Sequence, residues 1–164
     1  MKKVAIIMGS DSDLPVVEKG IEILEKFNVP FEVHVYSAHR TPGETKEFTE
    51  KARENGFGVI IAAAGKAAHL AGAIAANTTL PVIGIPIKSS TLDGLDALLS
   101  TVQMPAGIPV ATVAIDGAAN ASLLAIEILS VYDDELFNKL SKYRSDATQK
   151  VLTKNSEIEK RFNK

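Results

Sequence analysis

The chain has 164 residues, 46% of them apolar and 23% charged, with a formal net charge of -2 and no cysteine. Its length suits one well-packed domain, and its composition is that of an ordered globular chain rather than a disordered one. Disulfides, zinc-thiolate sites and thiolate nucleophiles are excluded; the mild acidity argues against a non-specific nucleic-acid binder, and no apolar run is long enough for a signal peptide or membrane span, so a cytoplasmic setting is expected.

The apolar run from Lys3 to Met8 predicts a buried first strand. Gly9-Ser10-Asp11-Ser12-Asp13 follows as a loop, and Val17, Ile21, Leu24 and Phe27 recur at helical spacing over a helix from about Leu14 to Phe27. Ser10, Ser12 or Asp13 can cap that helix, whose free N–H groups would form an anion seat. The glycine spacing of the dinucleotide and Walker patterns is absent. Asp11 and Asp13 are explained by capping more simply than by a metal.

After Asn28-Val29-Pro30, strand two is expected over Phe31 to Tyr36, with Phe31, Val33 and Val35 on one face and Glu32, His34 and Tyr36 on the other. This alternation fits an edge strand, where His34 is read as structural or solvated. Next comes Ser37-Ala38-His39-Arg40-Thr41-Pro42, just past a strand end, where open α/β sheets bind ligands. A histidine there can give and take protons near neutrality, and the neighbouring guanidinium suits a phosphate or carboxylate. A helix from Pro42 to about Glu54 is predicted, with Phe48 and Ala52 inward and Asn55-Gly56 as its end.

Strand three is read over Gly58 to Ala63, running into Ala64-Gly65-Lys66-Ala67-Ala68-His69-Leu70, whose small side chains let a ligand approach the backbone. Strand four is expected over Leu80 to Ile87, a helix over about Leu92 to Val102, strand five over Ile108 to Ile115, and a helix over Ala118 to Val131. Strands alternating with helices predict an α/β fold: a three-layer αβα sandwich around a five-stranded parallel sheet in the flavodoxin-like order 2-1-3-4-5. Residues 1–164 are expected to form a single domain, with a core over 1–132 and a C-terminal helical extension over 133–164. In that extension Leu136, Leu140, Tyr143, Ala147 and Val151 make an apolar stripe, for which a neighbouring subunit is the expected cover.

The core segment 1–132 holds ten Lys or Arg against fourteen Asp or Glu, yet Arg40, Lys66 and Lys88 all fall just past strand ends. An acidic body with a local positive pocket is the expected result, and with it a small anionic ligand. No Gly-x-Ser-x-Gly elbow or His-Glu-x-x-His site is present. Ala62-Ala63-Ala64 occupies the place of a phosphoryl-receiving aspartate, and the low aromatic content with no Trp disfavours a flavin carrier.

Gly9-Ser10-Asp11-Ser12-Asp13, Ser37-Ala38-His39-Arg40-Thr41-Pro42, Ala67-Ala68-His69-Leu70 and Gln103-Met104-Pro105, in this order, resemble the N5-carboxyaminoimidazole ribonucleotide mutase family of purine biosynthesis, from about Val4 past Val151. The histidine-arginine pair resembles the mutase branch; the related carboxylase branch, which uses free carbon dioxide, typically has lysine after that histidine. Ala71 stands where a proline is common and Lys66 where many mutases have a small residue.

The resemblance implies a homo-octamer with no metal or organic cofactor and a small ribonucleotide substrate, with no nucleic-acid or membrane partner. It implies His39 as general acid/base, with Ser10, Asp13 and Arg40 binding the ribose phosphate and Ser12 and Ser37 nearby. Gly65, Lys66, Ala67 and His69 would border the base and carboxylate. A carboxylase using free carbon dioxide and a non-catalytic binder of phosphoribosyl ligands are the competing readings.

Overall fold

The computed structural model describes residues 1–163. Five strands, β1 (Lys3–Met8), β2 (Phe31–Val35), β3 (Phe57–Gly65), β4 (Val82–Ile87) and β5 (Ala111–Thr112), form a parallel sheet in the order β2-β1-β3-β4-β5. The central strands read as unbroken apolar runs because helices cover both of their faces. Val4, Ile6, Met8, Val59, Ile61, Ile83 and Ile85 pack toward α1 (Leu14–Phe27), α5 (Ala118–Ser130) and the start of α6 (Asp134–Phe162). Ala5, Ile7, Ile60 and Ala62 pack on the other side, toward α2 (Pro42–Lys51) and α3 (Leu70–Ala75). There, Thr101 of α4 (Leu95–Val102) closes on Gly84 so tightly that a Cβ would lie 2.4 Å from its methyl group.

The expected sheet order and element sequence stand. The largest boundary shifts fall in three elements and have local reasons. β5 shrinks to two residues, although Val113 and Asp116 still donate to the carbonyls of Gly84 and Pro86, so an edge strand hydrogen-bonded on one side reads as irregular. α2 stops at Lys51, and Gly56 turns the chain at φ +87°. The expected helix over 92–102 is broken at its start, where Leu92, Asp93 and Gly94 all take left-handed angles before α4 begins.

α6 splits the expected stripe in two. Asp133 caps it by accepting the N–H of Leu136 at 3.0 Å. Leu136 and Leu140 enter the core of their own chain, Tyr143 lies 5.5 Å from the Phe27 ring, and Arg144 pairs with Glu127 of α5. Ala147 and Val151 are exposed, so the stripe packs in cis only up to Tyr143.

Candidate active site

The three motif loops all leave the carboxyl ends of β1, β2 and β3, next to the point where the strand order reverses between β1 and β3. Open α/β sheets leave a crevice at that point because successive crossovers depart to opposite sides. Gly9 donates its N–H to the carbonyl of Ala63 at 3.0 Å and so ties the first and third loops at their roots.

His39 and His69, thirty residues apart in sequence, meet across this crevice. Nε2 of His39 lies 3.0 Å from Nδ1 of His69, with the rings nearly perpendicular. A contact of that length between two imidazole nitrogens needs one proton between them, so one ring donates while the other accepts. Arg40 donates from Nη2 to the carbonyl of Gly9 at 3.2 Å. A guanidinium has five N–H donors, and this contact leaves most of them for an anion. Both side chains are exposed.

In the first loop Ser10 accepts the N–H of Ser12 at 3.3 Å and its hydroxyl at 2.9 Å, closing a single turn ahead of α1. The serine thus caps that turn, and α1 itself begins without a side-chain cap. Asp13, expected as a possible cap, makes no such bond and is buried. Burial pushes its carboxyl above the usual 3.8, and the nearby carboxylates of Asp11 and Asp116 push the same way. Hydrogen bonds from Ser10 and Ser12 oppose the rise.

Ser37 contributes its hydroxyl as an acceptor for the N–H groups of His39 and Arg40. Gly65 ends β3 where a Cβ would sit 3.2 Å from the carbonyl of Ile87, which explains the glycine. Lys66 follows in the left-handed region at φ +56°, a backbone state that costs a non-glycine residue about 1 kcal/mol. Lys66, Ala67 and His69 are exposed at the crevice rim.

The expected positive pocket is more balanced than the sequence implied. Lys88 pairs with Asp93 at 3.2 Å, and its N–H donates to Asp116. The left-handed turn at 92–94 carries Asp93 back to the lysine, which spacing alone does not reveal. Lys66 has no ion pair among the described residues, where no cluster of three or more His, Asp or Glu could hold a metal either. A cleft of about 950 Å³ lies at the other end of the sheet, bordered by Arg53, Asn77, Pro81 and Pro109, and none of these motif residues lines it. Sequence reasoning gave no role to Thr41 and Thr45, whose hydroxyls bond inside the His39 loop and the helix after it. The signal was present as threonines four apart beginning just before a proline.

A family model described as AIR carboxylase matches residues 3–150. The N5-carboxyaminoimidazole ribonucleotide mutase of Pyrococcus horikoshii is 58% identical over 156 residues, spanning 95% of this chain and 88% of that one. The phosphoribosylaminoimidazole carboxylase, chloroplastic, of Vigna aconitifolia is 53% identical over 154 residues, spanning 94% of this chain but 28% of that longer protein. The crystal structure of Treponema denticola PurE matches with a TM-score of 0.87 at 29% identity, covering 94% of this chain and 97% of that one.

Proposed function

The chain belongs to the AIR carboxylase family, and from that membership we propose that it is an isomerase converting N5-carboxyaminoimidazole ribonucleotide to 4-carboxy-5-aminoimidazole ribonucleotide in purine biosynthesis. The observation that carries the reading is the contact between His39 and His69 beside Arg40 and the serine loop. It joins a proton carrier to an anion seat at one crevice, and this reaction needs both.

The substrate loses its carboxylate from the exocyclic nitrogen as carbon dioxide, and that nitrogen takes a proton from His39. C4 then attacks the retained carbon dioxide, and the C4 proton returns to His39. Charge and protons balance with no other reactant, which suits a group that serves as acid and then as base. His69 holds the imidazole in place and fixes which nitrogen carries the proton. Arg40, Ser10 and Asp13 bind the ribose phosphate, with Ser12 and Ser37 beside them. Gly65, Lys66, Ala67 and His69 border the base and carboxylate. A crevice walled by small residues can exclude water and keep the carbon dioxide from escaping.

Residues 1–164 act as one domain, a reading supported by the entry of Leu136 and Leu140 into the core of residues 1–132. We take the chain to assemble as a homo-octamer, supported by the exposed apolar residues of distal α6 and by a crevice whose histidines remain open in a single subunit. A cytoplasmic setting agrees with the lack of cysteine.

Purified protein given N5-carboxyaminoimidazole ribonucleotide without ATP should form the C4 product. Turnover only with aminoimidazole ribonucleotide and free carbon dioxide would instead establish the carboxylase reading. Tight binding with no turnover of either would establish a binding protein. His39→Asn should lower turnover by about 10²- to 10⁴-fold and leave ligand affinity within about tenfold.

A further inference from the structure

Thr41 stands at the N-cap of α2, immediately before Pro42. A threonine in that position ordinarily accepts an N–H from the first turn of its own helix. This one makes no such bond. Its hydroxyl faces the preceding loop, where it accepts the N–H of Ser37 at 2.8 Å and donates to the carbonyl of Ser37 at 3.2 Å. The N–H of Thr41 reaches that same carbonyl at 2.9 Å. Three hydrogen bonds therefore join the two ends of a five-residue loop.

Inside the loop, the Ser37 hydroxyl accepts the N–H groups of His39 at 3.3 Å and Arg40 at 3.2 Å. The backbone is thus held by the loop's own first and last residues. What projects from it is the imidazole toward His69 and the guanidinium toward Gly9. One turn into α2, buried Thr45 donates to the carbonyl of Thr41 at 2.8 Å, and buried Thr49 donates to that of Thr45 at 2.6 Å. The helix anchors Thr41, and Thr41 anchors the loop.

We propose that Thr41 is a positioning residue for His39 and Arg40, acting through Ser37 and touching no substrate itself. Its kinetic consequence rests on the mutase reading; its geometric consequence does not. Thr41→Val keeps the shape and removes both hydroxyl bonds, so kcat should fall by about 10- to 100-fold. Thr41→Ser should restore it to within about threefold, because the hydroxyl alone is required. Thr49→Val removes a buried hydroxyl from the same row two turns away; it should lower thermal stability and leave kcat within about twofold.

Imidazole resonances of His39 and His69 supply a readout independent of turnover. They should shift or broaden in Thr41→Val, and in Thr41→Ala should valine disturb the helix start, while matching the parent in Thr41→Ser and Thr49→Val. Unmoved resonances in the valine and alanine variants would overturn the proposal, as would an equal kinetic loss in Thr49→Val. A parent without turnover would reject the mutase reading, and the resonances would then decide the role of Thr41 alone.

Discussion

Asp13 is a buried carboxyl held away from its ordinary state, and the departure has a pH signature. Its carboxyl is buried, which raises its folded pKa above the 3.8 expected of an exposed aspartate. Between those two values the native state holds more protons than the unfolded state, so this group's contribution to stability falls as pH rises through the window. Above the folded value the ionised carboxylate is a standing cost of the fold. Asp13→Asn should therefore raise the urea midpoint at pH 7, an advantage that disappears by about pH 3.5. The same variant should weaken nucleotide binding by about tenfold through loss of a charged hydrogen-bonding group. A lower midpoint at pH 7 would mean that the carboxylate stabilises the fold through partners that outweigh its desolvation. Reading the sequence expected Asp13 as a possible cap but not its burial, because an aspartate at a helix start reads as an exposed capping residue. The His39 motif was legible for the opposite reason: its chemistry sits within six consecutive residues. Its contact with His69 was not, since only the crossing of loops at the strand-order reversal brings residues thirty apart to 3.0 Å.

Among the elements, α1 packs directly against α5, and Gly20 makes that approach possible. A Cβ at Gly20 would lie 2.7 Å from Oγ of Ser122 and 2.8 Å from the carbonyl oxygen of Ala118, both in the buried face of α5. In an exposed helix, glycine to alanine gains about 1 kcal/mol. Here the obstacle is backbone, which cannot rotate away, so Gly20→Ala should destabilise the protein by about 1–3 kcal/mol in urea unfolding. Stabilisation would show that α1 can ride further from α5 without cost. Helical periodicity located α1 to the residue but could not disclose this close approach, because a glycine in a helix reads only as a weak position. The sheet was the more readable layer. β1, β3 and β4 carry unbroken apolar runs that only a doubly covered parallel sheet requires, whereas β5, paired on one side, lost most of its expected length.

At the scale of the whole molecule, the question is what the far half of α6 does. Periodicity described one continuous stripe, and the structure divides it at Tyr143. Up to that point the helix belongs to its own chain: Leu136 and Leu140 are buried, Lys139 donates to the Phe27 carbonyl at 3.3 Å, and Arg144 holds Glu127. Beyond it, Val151, Leu152, Ile158 and Phe162 are 55–67% exposed, an apolar series that an isolated subunit leaves in water. Deleting everything after Val131 would strip core side chains together with this distal segment, so any loss of assembly could be a loss of folding. Ending the chain at Ala147 separates the two. That shortened protein keeps the cap at Asp133, both buried leucines, the Tyr143 ring against Phe27 and the Arg144 pair. It should retain a folded circular-dichroism spectrum and cooperative unfolding while sedimenting as a smaller assembly than the full chain. Full-size assembly of the shortened protein would assign the contacts between copies to other surfaces, and an unfolded product would mean that the distal turns stabilise their own subunit after all.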